Sequence, residues 1–251
     1  FNGRLSAFYP QYSDAPMARV HFIIGLDPGA KADPDLGDLE TEIAAIAQPW
    51  FENVRNVAEA SDADELHDKV SGYENAFTLA YQDKFTPEQS LADIAACEQL
   101  SADSDTAIKV YSISGEENRT LNAKIYRLEH RIEPSLIMPV LTNFGLHIAQ
   151  ETGYAIKRMG KPVVWVHDFE ARLTNSPEDP DTLSRIFETA FMNTWQGKNE
   201  DDAFNKLILA QMADWRKIAF LRLVARYRRQ SGLDPSEASQ IEAFNQHPVL
   251  T

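Results

Sequence analysis

Cysteine is nearly missing from this chain: Cys97 is the only one. A lone thiol makes neither an internal disulfide nor a cysteine-based zinc site, which fits a reducing, cytoplasmic compartment. Cys97 falls three residues after Ile94 in a helical pattern and reads as a small buried hydrophobe. Also missing is any apolar run near the roughly 18 residues of a membrane span. The strand-like run from Val20 to Leu26 is far shorter. No basic stretch leads into a hydrophobic segment, so no signal peptide is expected, and the opening on Phe1 suggests excision from a longer polypeptide. Positive charge is scarce: 24 Lys and Arg stand against 38 Asp and Glu, a formal net charge of −14. Such a balance argues against nucleic acid and disfavours anionic membrane surfaces.

Several chemical motifs are absent as well. Binding a dinucleotide needs a Gly-rich turn that lets backbone amides approach the pyrophosphate. No G-x-G-x-x-G or P-loop pattern occurs, and Gly145, Gly153 and Gly160 are spaced for separate turns. His21, His67, His130, His147 and His247 are scattered, without the H-x-x-x-H or H-E-x-x-H spacing of a helical zinc site. No G-x-S-x-G nucleophile elbow is present. The sequence therefore assigns no catalytic, cofactor-binding or metal residue within the segment.

What remains is ordinary globular material, 251 residues with 43% hydrophobic and 25% charged, enough for one elaborate domain or two ordinary ones. Met17 to Gly25 reads as a strand, with Val20, Phe22 and Ile24 on one face and His21 and Ile23 on the other, and the Gly, Pro and Asp of Leu26 to Asp35 as a loop. Helical spacing follows in Leu39, Ile43, Ile46 and Ala47, is broken by Pro49, and resumes at Trp50 and Phe51. A second helix is predicted over Asp64 to Tyr81, through Leu66, Val70, Tyr73 and Phe77. A third starts where Thr86, Pro87 and Gln89 form a capping box, turning Leu91, Ile94 and Ala95 inward.

After a polar break at Ser101 to Asp105 the period changes to two. Ala107 to Ile113 and Leu121 to Tyr126 read as a hairpin around Gly115 to Asn118. A short helix, Pro134 to Phe144, stops at Gly145 in a left-handed cap. Leu146 to Lys157 and Val163 to Arg172 form another strand pair, with turns at Gly153 and at Gly160 to Pro162. The order β-β-α-β-β predicts, with a flanking helix, an α+β sheet covered on one face, as in ferredoxin-like and ACT-like modules. Further helices are predicted at Thr182 to Trp195, Asp202 to Gln211, Trp215 to Ser231 and Ser236 to Asn245.

His167 and Asp168 are the most tempting pair, but strand neighbours point to opposite faces. Trp165, His167 and Phe169 share one face and Val164, Val166 and Asp168 the other, so His167 reads as a hydrogen-bonded structural histidine rather than half of a dyad. Arg222, Arg226 and Arg229 form one basic stripe that Glu178, Asp179, Asp181, Glu200, Asp201 and Asp202 could neutralise. The apolar residues around them suggest a buried helix with the arginines reaching outward. Trp195 and Trp215 sit at helix termini as core or interface anchors.

Several stretches together resemble the large bacterial NAD-specific glutamate dehydrogenases. They are Arg19 to Gly25, Tyr81 to Glu88, Ala123 to Arg127, Met138 to Leu146, Val164 to Phe169, Phe187 to Phe191, Asp202 to Leu207 and Trp215 to Gln230. Their order and spacing over nearly the whole chain make the resemblance specific. It implies an internal region of ACT-like modules and helical motifs that serves assembly and regulation, ahead of the catalytic domain. It also implies that the parent converts L-glutamate to 2-oxoglutarate and ammonia with NAD, while this segment holds no cofactor.

The expected architecture is an α+β, ACT/ferredoxin-like antiparallel sheet module flanked by N-terminal and C-terminal helical segments. The end strand of a preceding module and its linker would occupy 1–35, a helical segment 36–104, the ACT-like module 105–175 and a second helical segment 176–251. Expected partners are the remaining domains of the same polypeptide, other copies in a homo-oligomer of the parent, and an amino-acid effector. Asn143, Gly145, Trp165, His167, Asp168, Arg222, Arg226 and Arg229 are the candidate effector or interdomain contacts. The alternatives are a free-standing small-molecule sensor and a hydrolase-type enzyme using His167 and Asp168.

Overall fold

A computed structural model describes residues 3–11, 19–30, 35–47, 49–61, 64–115, 119–233 and 236–247. The chain divides into two compact units, Phe1–Glu52 and Asn53–Thr251.

In the first unit, strand β1 (Arg4–Gln11) pairs antiparallel with β2 (Arg19–Gly25), and Phe8 lies directly opposite Phe22. Met17 and Ala18 of the expected strand lie outside the described residues. Phe8, Tyr9, Phe22 and Ile23 are all exposed, so the alternation leaves large apolar groups on both faces of this hairpin. Of the expected loop, residues 31–34 also lie outside the described residues. Helix α1 (Leu36–Ala47) follows, with the Asp35 carboxylate accepting from the N–H groups of Gly37 and Asp38. The side chains of Ile46 and Ala47 lie outside what is described. Pro49 separates α1 from α2 (Trp50–Ala60), as its missing N–H requires.

The second unit contains the larger core. The single helix expected from Asp64 to Tyr81 is broken into α3 (Asp64–Val70), a 3-10 turn at Ser71–Tyr73, and α4 (Leu79–Lys84). Two local conformations cause the break. Asn75 adopts the left-handed region (φ 62), and Thr78 caps α4 by accepting the Tyr81 N–H. Val70, Tyr73 and Phe77 are nevertheless buried and Leu66 is half-buried, because the turn keeps them on one side. Helix α5 (Pro87–Gln99) begins with the expected capping box. Its buried face is rotated from the expected one, to Ser90, Asp93, Ile94, Ala96 and Cys97, while Leu91 and Ala95 are half-buried.

Next come β3 (Thr106–Ser114), β4 (Thr120–Leu128), α6 (Pro134–Asn143), β5 (His147–Ile156), β6 (Val164–Arg172) and α7 (Pro180–Trp195). Residues 116–118 of the β3–β4 turn lie outside the described residues. The strands pair antiparallel in the order β3-β4-β6-β5. That is the ferredoxin-like order with one β-α unit moved from the start of the chain to its end. Gly145 stops α6 at φ +79, as expected. Gly153, expected in a turn, instead lies within β5 opposite His167. A Cβ there would come within 2.9 Å of the Arg131 guanidinium, which occupies the space a side chain would fill.

One sheet face carries Leu121, Ala123, Ile125, Phe169 and Ala171 against Ile137 and Leu141 of α6, Phe144 just after it, and Leu183, Phe187 and Phe191 of α7. Full burial of such side chains contributes about 1.5–3 kcal/mol each. The other face was expected to be open. It is buried as well: Lys124, Tyr126, Val164, Val166 and Ile156 are sealed, with Tyr81 and Asp93 of α4 and α5 bonded onto it. The sheet is thus the middle of three layers.

The C-terminal helices are α8 (Lys206–Ala210), α9 (Trp215–Gln230) and α10 (Glu237–Gln246), capped by Asp214 at α9 and Ser236 at α10. The expected helix from Asp202 opens as a 3-10 turn, Ala203–Asn205, before α8. Along α9, Ile218, Leu221 and Ala225 are buried, whereas Phe220, Leu223 and Tyr227 are exposed.

Candidate functional site

Three polar clusters hold most of the candidate residues, and all three lie within the second unit. The first was not anticipated. Asp93 projects from α5 onto the middle of the sheet, where its Oδ2 accepts from Lys124 Nζ at 2.6 Å and its Oδ1 from Tyr126 Oη at 2.7 Å. Tyr81 Oη donates to the same carboxylate. Lys124 is 1% exposed, and its ammonium also lies 3.4 Å from the centre of the Phe85 ring. Burial pulls the Lys124 ammonium below the usual lysine range, and Asp93 opposes that pull. Burial raises the Tyr81 and Tyr126 phenols far above their ordinary range, with the Asp93 charge adding to the effect. These phenols therefore stay protonated and serve as donors.

Asp168 stands opposite Lys124 in the β4–β6 register, on the same face, and accepts from Tyr111 Oη at 2.9 Å. Burial pushes its carboxyl up, against the Tyr111 hydrogen bond and the Lys124 charge. At the edge of this layer Glu98 of α5 accepts from Tyr73 Oη at 2.8 Å and pairs with Arg158. Cys97 is buried nearby, as expected, and desolvation pushes its thiol up to about 12.

His167 belongs to the opposite face. Its Nε2 accepts from the Ile132 N–H at 3.1 Å, and its Nδ1 lies 3.0 Å from Glu151 Oε1. Those partners specify the neutral tautomer with the proton on Nδ1. Burial holds the imidazole below its ordinary value, with Glu151 pulling the other way. His167 and Asp168 therefore do not converge, and each is already occupied by a structural bond. Trp165 is half-buried on the same strand, with the Arg131 guanidinium 5.9 Å from its ring centre.

The basic stripe of α9 splits by burial. Arg222 does not reach outward; it is 2% exposed and bidentate on Asp202, at 2.7 and 2.9 Å. Asn199 and Asn205 accept from it at 3.2 and 3.0 Å, so the guanidinium is enclosed by the 199–205 segment. Arg226 pairs with Glu200, and Arg229 lies 3.7 Å from Glu237. Intramolecular carboxylates thus neutralise the stripe, two of them among those expected. Asn143 donates to Asp201 at 2.9 Å, and Gly145 packs beneath Lys206.

No group of three or more His, Cys, Asp or Glu among the described residues could hold a metal ion. Likewise, no described helix is long and apolar enough to cross a membrane.

Comparison with known families divides the chain into four matched stretches. Residues 1–51 match the glutamate dehydrogenase ACT2 domain, 63–100 helical motif 2, 105–183 the ACT3 domain and 199–251 helical motif 3. By these four matches together, the chain belongs to the glutamate dehydrogenase family. It is similar to the NAD-specific glutamate dehydrogenases of Pseudomonas aeruginosa (29% identity over 96% of the chain), Halomonas elongata (26% over 97%) and Mycobacterium tuberculosis (26% over 99%). It spans 15% of the length of the first two relatives and 16% of the third. The segment therefore consists of ACT and helical-motif domains of the kind that glutamate dehydrogenases carry. In these terms the Asp93–Lys124 cluster joins helical motif 2 to the ACT3 sheet, and Arg222 is bound within helical motif 3.

Proposed function

We propose that this segment is a non-catalytic coupling and assembly element, which carries mechanical constraint between modules of a dehydrogenase whose chemistry is done elsewhere in the polypeptide. The whole protein, on this reading, oxidises L-glutamate to 2-oxoglutarate and ammonia with NAD and assembles from several copies. What carries the reading is the Asp93–Lys124 contact, a buried ion pair that anchors a helical motif to the central strand of an ACT sheet. A buried pair is a poor way to gain stability and a good way to fix one arrangement of two elements. The opposite-face placement of His167 and Asp168 also removes the geometric basis for a hydrolase dyad.

The test is an assay of the purified chain with L-glutamate and NAD, followed by absorbance of NADH. The reading predicts no formation above the buffer rate. Turnover would reject it.

A further inference from the structure

Helix α9 has two apolar sides. Ile218, Leu221 and Ala225 are buried, while Phe220, Leu223 and Tyr227 stand 64%, 63% and 68% exposed. Their spacing, three residues and then four, sets the exposed three in one stripe along the helix. Large apolar groups that adjoin one another on a surface mark an interaction site, whereas single ones need no explanation. The stripe borders a groove of about 360 Å³ between Val224 and Arg228 of α9 and Ser239, Ala243 and Phe244 of α10. Ser239 and Ala243 are four residues apart on one side of α10, and their small side chains leave the space open. Gln240, buried beside them, donates to the Ala225 carbonyl at 3.1 Å and holds the two helices at that spacing. The groove is built into the fold.

Charge decides what fits it. α9 carries six basic residues and no acidic one, in a chain whose formal net charge is −14. Arg222, Arg226 and Arg229 are engaged by Asp202, Glu200 and Glu237. The other three, Arg216, Lys217 and Arg228, are exposed and follow the apolar surface. Arg216 continues the stripe by one turn, and Lys217, Val224 and Arg228 form the row beside it. A second copy of this face is a poor occupant, because two α9 helices laid together in either direction set cation against cation. A flat anionic membrane would reach the stripe but not the groove, and the charge of the whole chain opposes it.

We infer that the α9–α10 groove docks an acidic amphipathic helix of a partner protein segment. The apolar side of that helix covers Phe220, Leu223 and Tyr227 and sets a side chain over Ala243, while its carboxylates meet Lys217 and Arg228. This is helix-in-groove recognition with complementary charge at the rim. The surface lies wholly within the helical motif 3 match and shares no residue with the Asp93–Lys124 contact, so it stands apart from the coupling role.

Fluorescence anisotropy of two synthetic helical peptides, titrated with the 251-residue chain, tests it. Both carry one leucine stripe; glutamates flank it in the first and lysines in the second. The glutamate peptide is expected to bind with a Kd of about 100 μM or tighter, and the lysine peptide about tenfold more weakly or worse. Leu223→Ser should weaken the glutamate peptide about tenfold while leaving the melting temperature unchanged, since the position is exposed. Lys217→Glu combined with Arg228→Glu should exchange the preference, so that the lysine peptide binds better. Silence from the glutamate peptide up to about 1 mM, or indifference to these substitutions, overturns the assignment. So does binding to phosphatidylglycerol vesicles with both peptides ignored, which would give the face to a lipid surface. A dimer in sedimentation that Leu223→Ser dissolves would give it to a second copy and overturn the assignment equally.

Discussion

Lys124 of β4 and Asp93 of α5 meet at 2.6 Å with both side chains sealed from solvent, 31 residues apart in sequence. Removing either partner leaves an unpaired charge inside the protein, which costs about 3–5 kcal/mol. Lys124→Met and Asp93→Leu should each lower the unfolding free energy by that amount. The double variant should lose clearly less than the sum, because it strands no charge. A denaturant-melt cycle measures the coupling, and strict additivity would mean that the pair does not act as a unit.

His167 confers a pH dependence of known sign. In the folded chain its imidazole is held below 6.5 by burial, and protonating Nε2 would set a donor against the Ile132 N–H. The unfolded chain thus binds more protons just below pH 6.5, so stability rises with pH through that window and falls as pH drops below it. The contribution to the slope is at most about 1.4 kcal/mol per pH unit. His167→Gln should flatten the profile of melting temperature between pH 5 and 7.5, and parallel profiles would contradict the assignment.

Cys97 should be chemically silent. It is 1% exposed, and its thiol is pushed up to about 12 by desolvation, so almost none is thiolate at neutral pH. A thiol-reactive chromophore at pH 8 should leave the native chain unlabelled over minutes and label it at once in denaturant. Rapid native labelling would refute the burial.

Two arginines on one helix stripe should behave differently. Arg222 is enclosed by Asp202, Asn199 and Asn205, so Arg222→Ala strands a carboxylate and two amides and should cost about 3–5 kcal/mol. Arg229 is exposed, 3.7 Å from Glu237, and its replacement by Ala should cost under about 1 kcal/mol. Equal losses in chemical denaturation would show that position on the stripe, rather than enclosure, sets the effect.

Much of this was legible in the chain. Thr86, Pro87 and Gln89 announced the start of α5 because a capping box is local, and Gly145 announced the end of α6 for the same reason. The change of period at Ser101–Asp105 located the sheet, and strand alternation correctly separated His167 from Asp168. What covers the second sheet face was not read, because the cover comes from α4 and α5, far away in sequence. Nothing in the alternation of Leu121 to Tyr126 marks Lys124 as buried. The available signal was on β6, where Val164, Trp165 and Val166 put apolar groups on both faces. Arg222 was misplaced for a related reason. Spacing along a helix assigns a side, but Asn199, Asp202 and Asn205, which enclose that side, belong to an irregular turn without periodicity.

On the coupling reading, helical motif 2 and the ACT3 sheet open and close together, with the Asp93–Lys124 bond as their link. Native-state hydrogen exchange resolved by segment tests it most directly, comparing amides in the middle of α5 with those of β4. One shared opening free energy for both, falling together in Lys124→Met, is the predicted result. An α5 that exchanges several kcal/mol more easily than β4, and ignores the substitution, would contradict it.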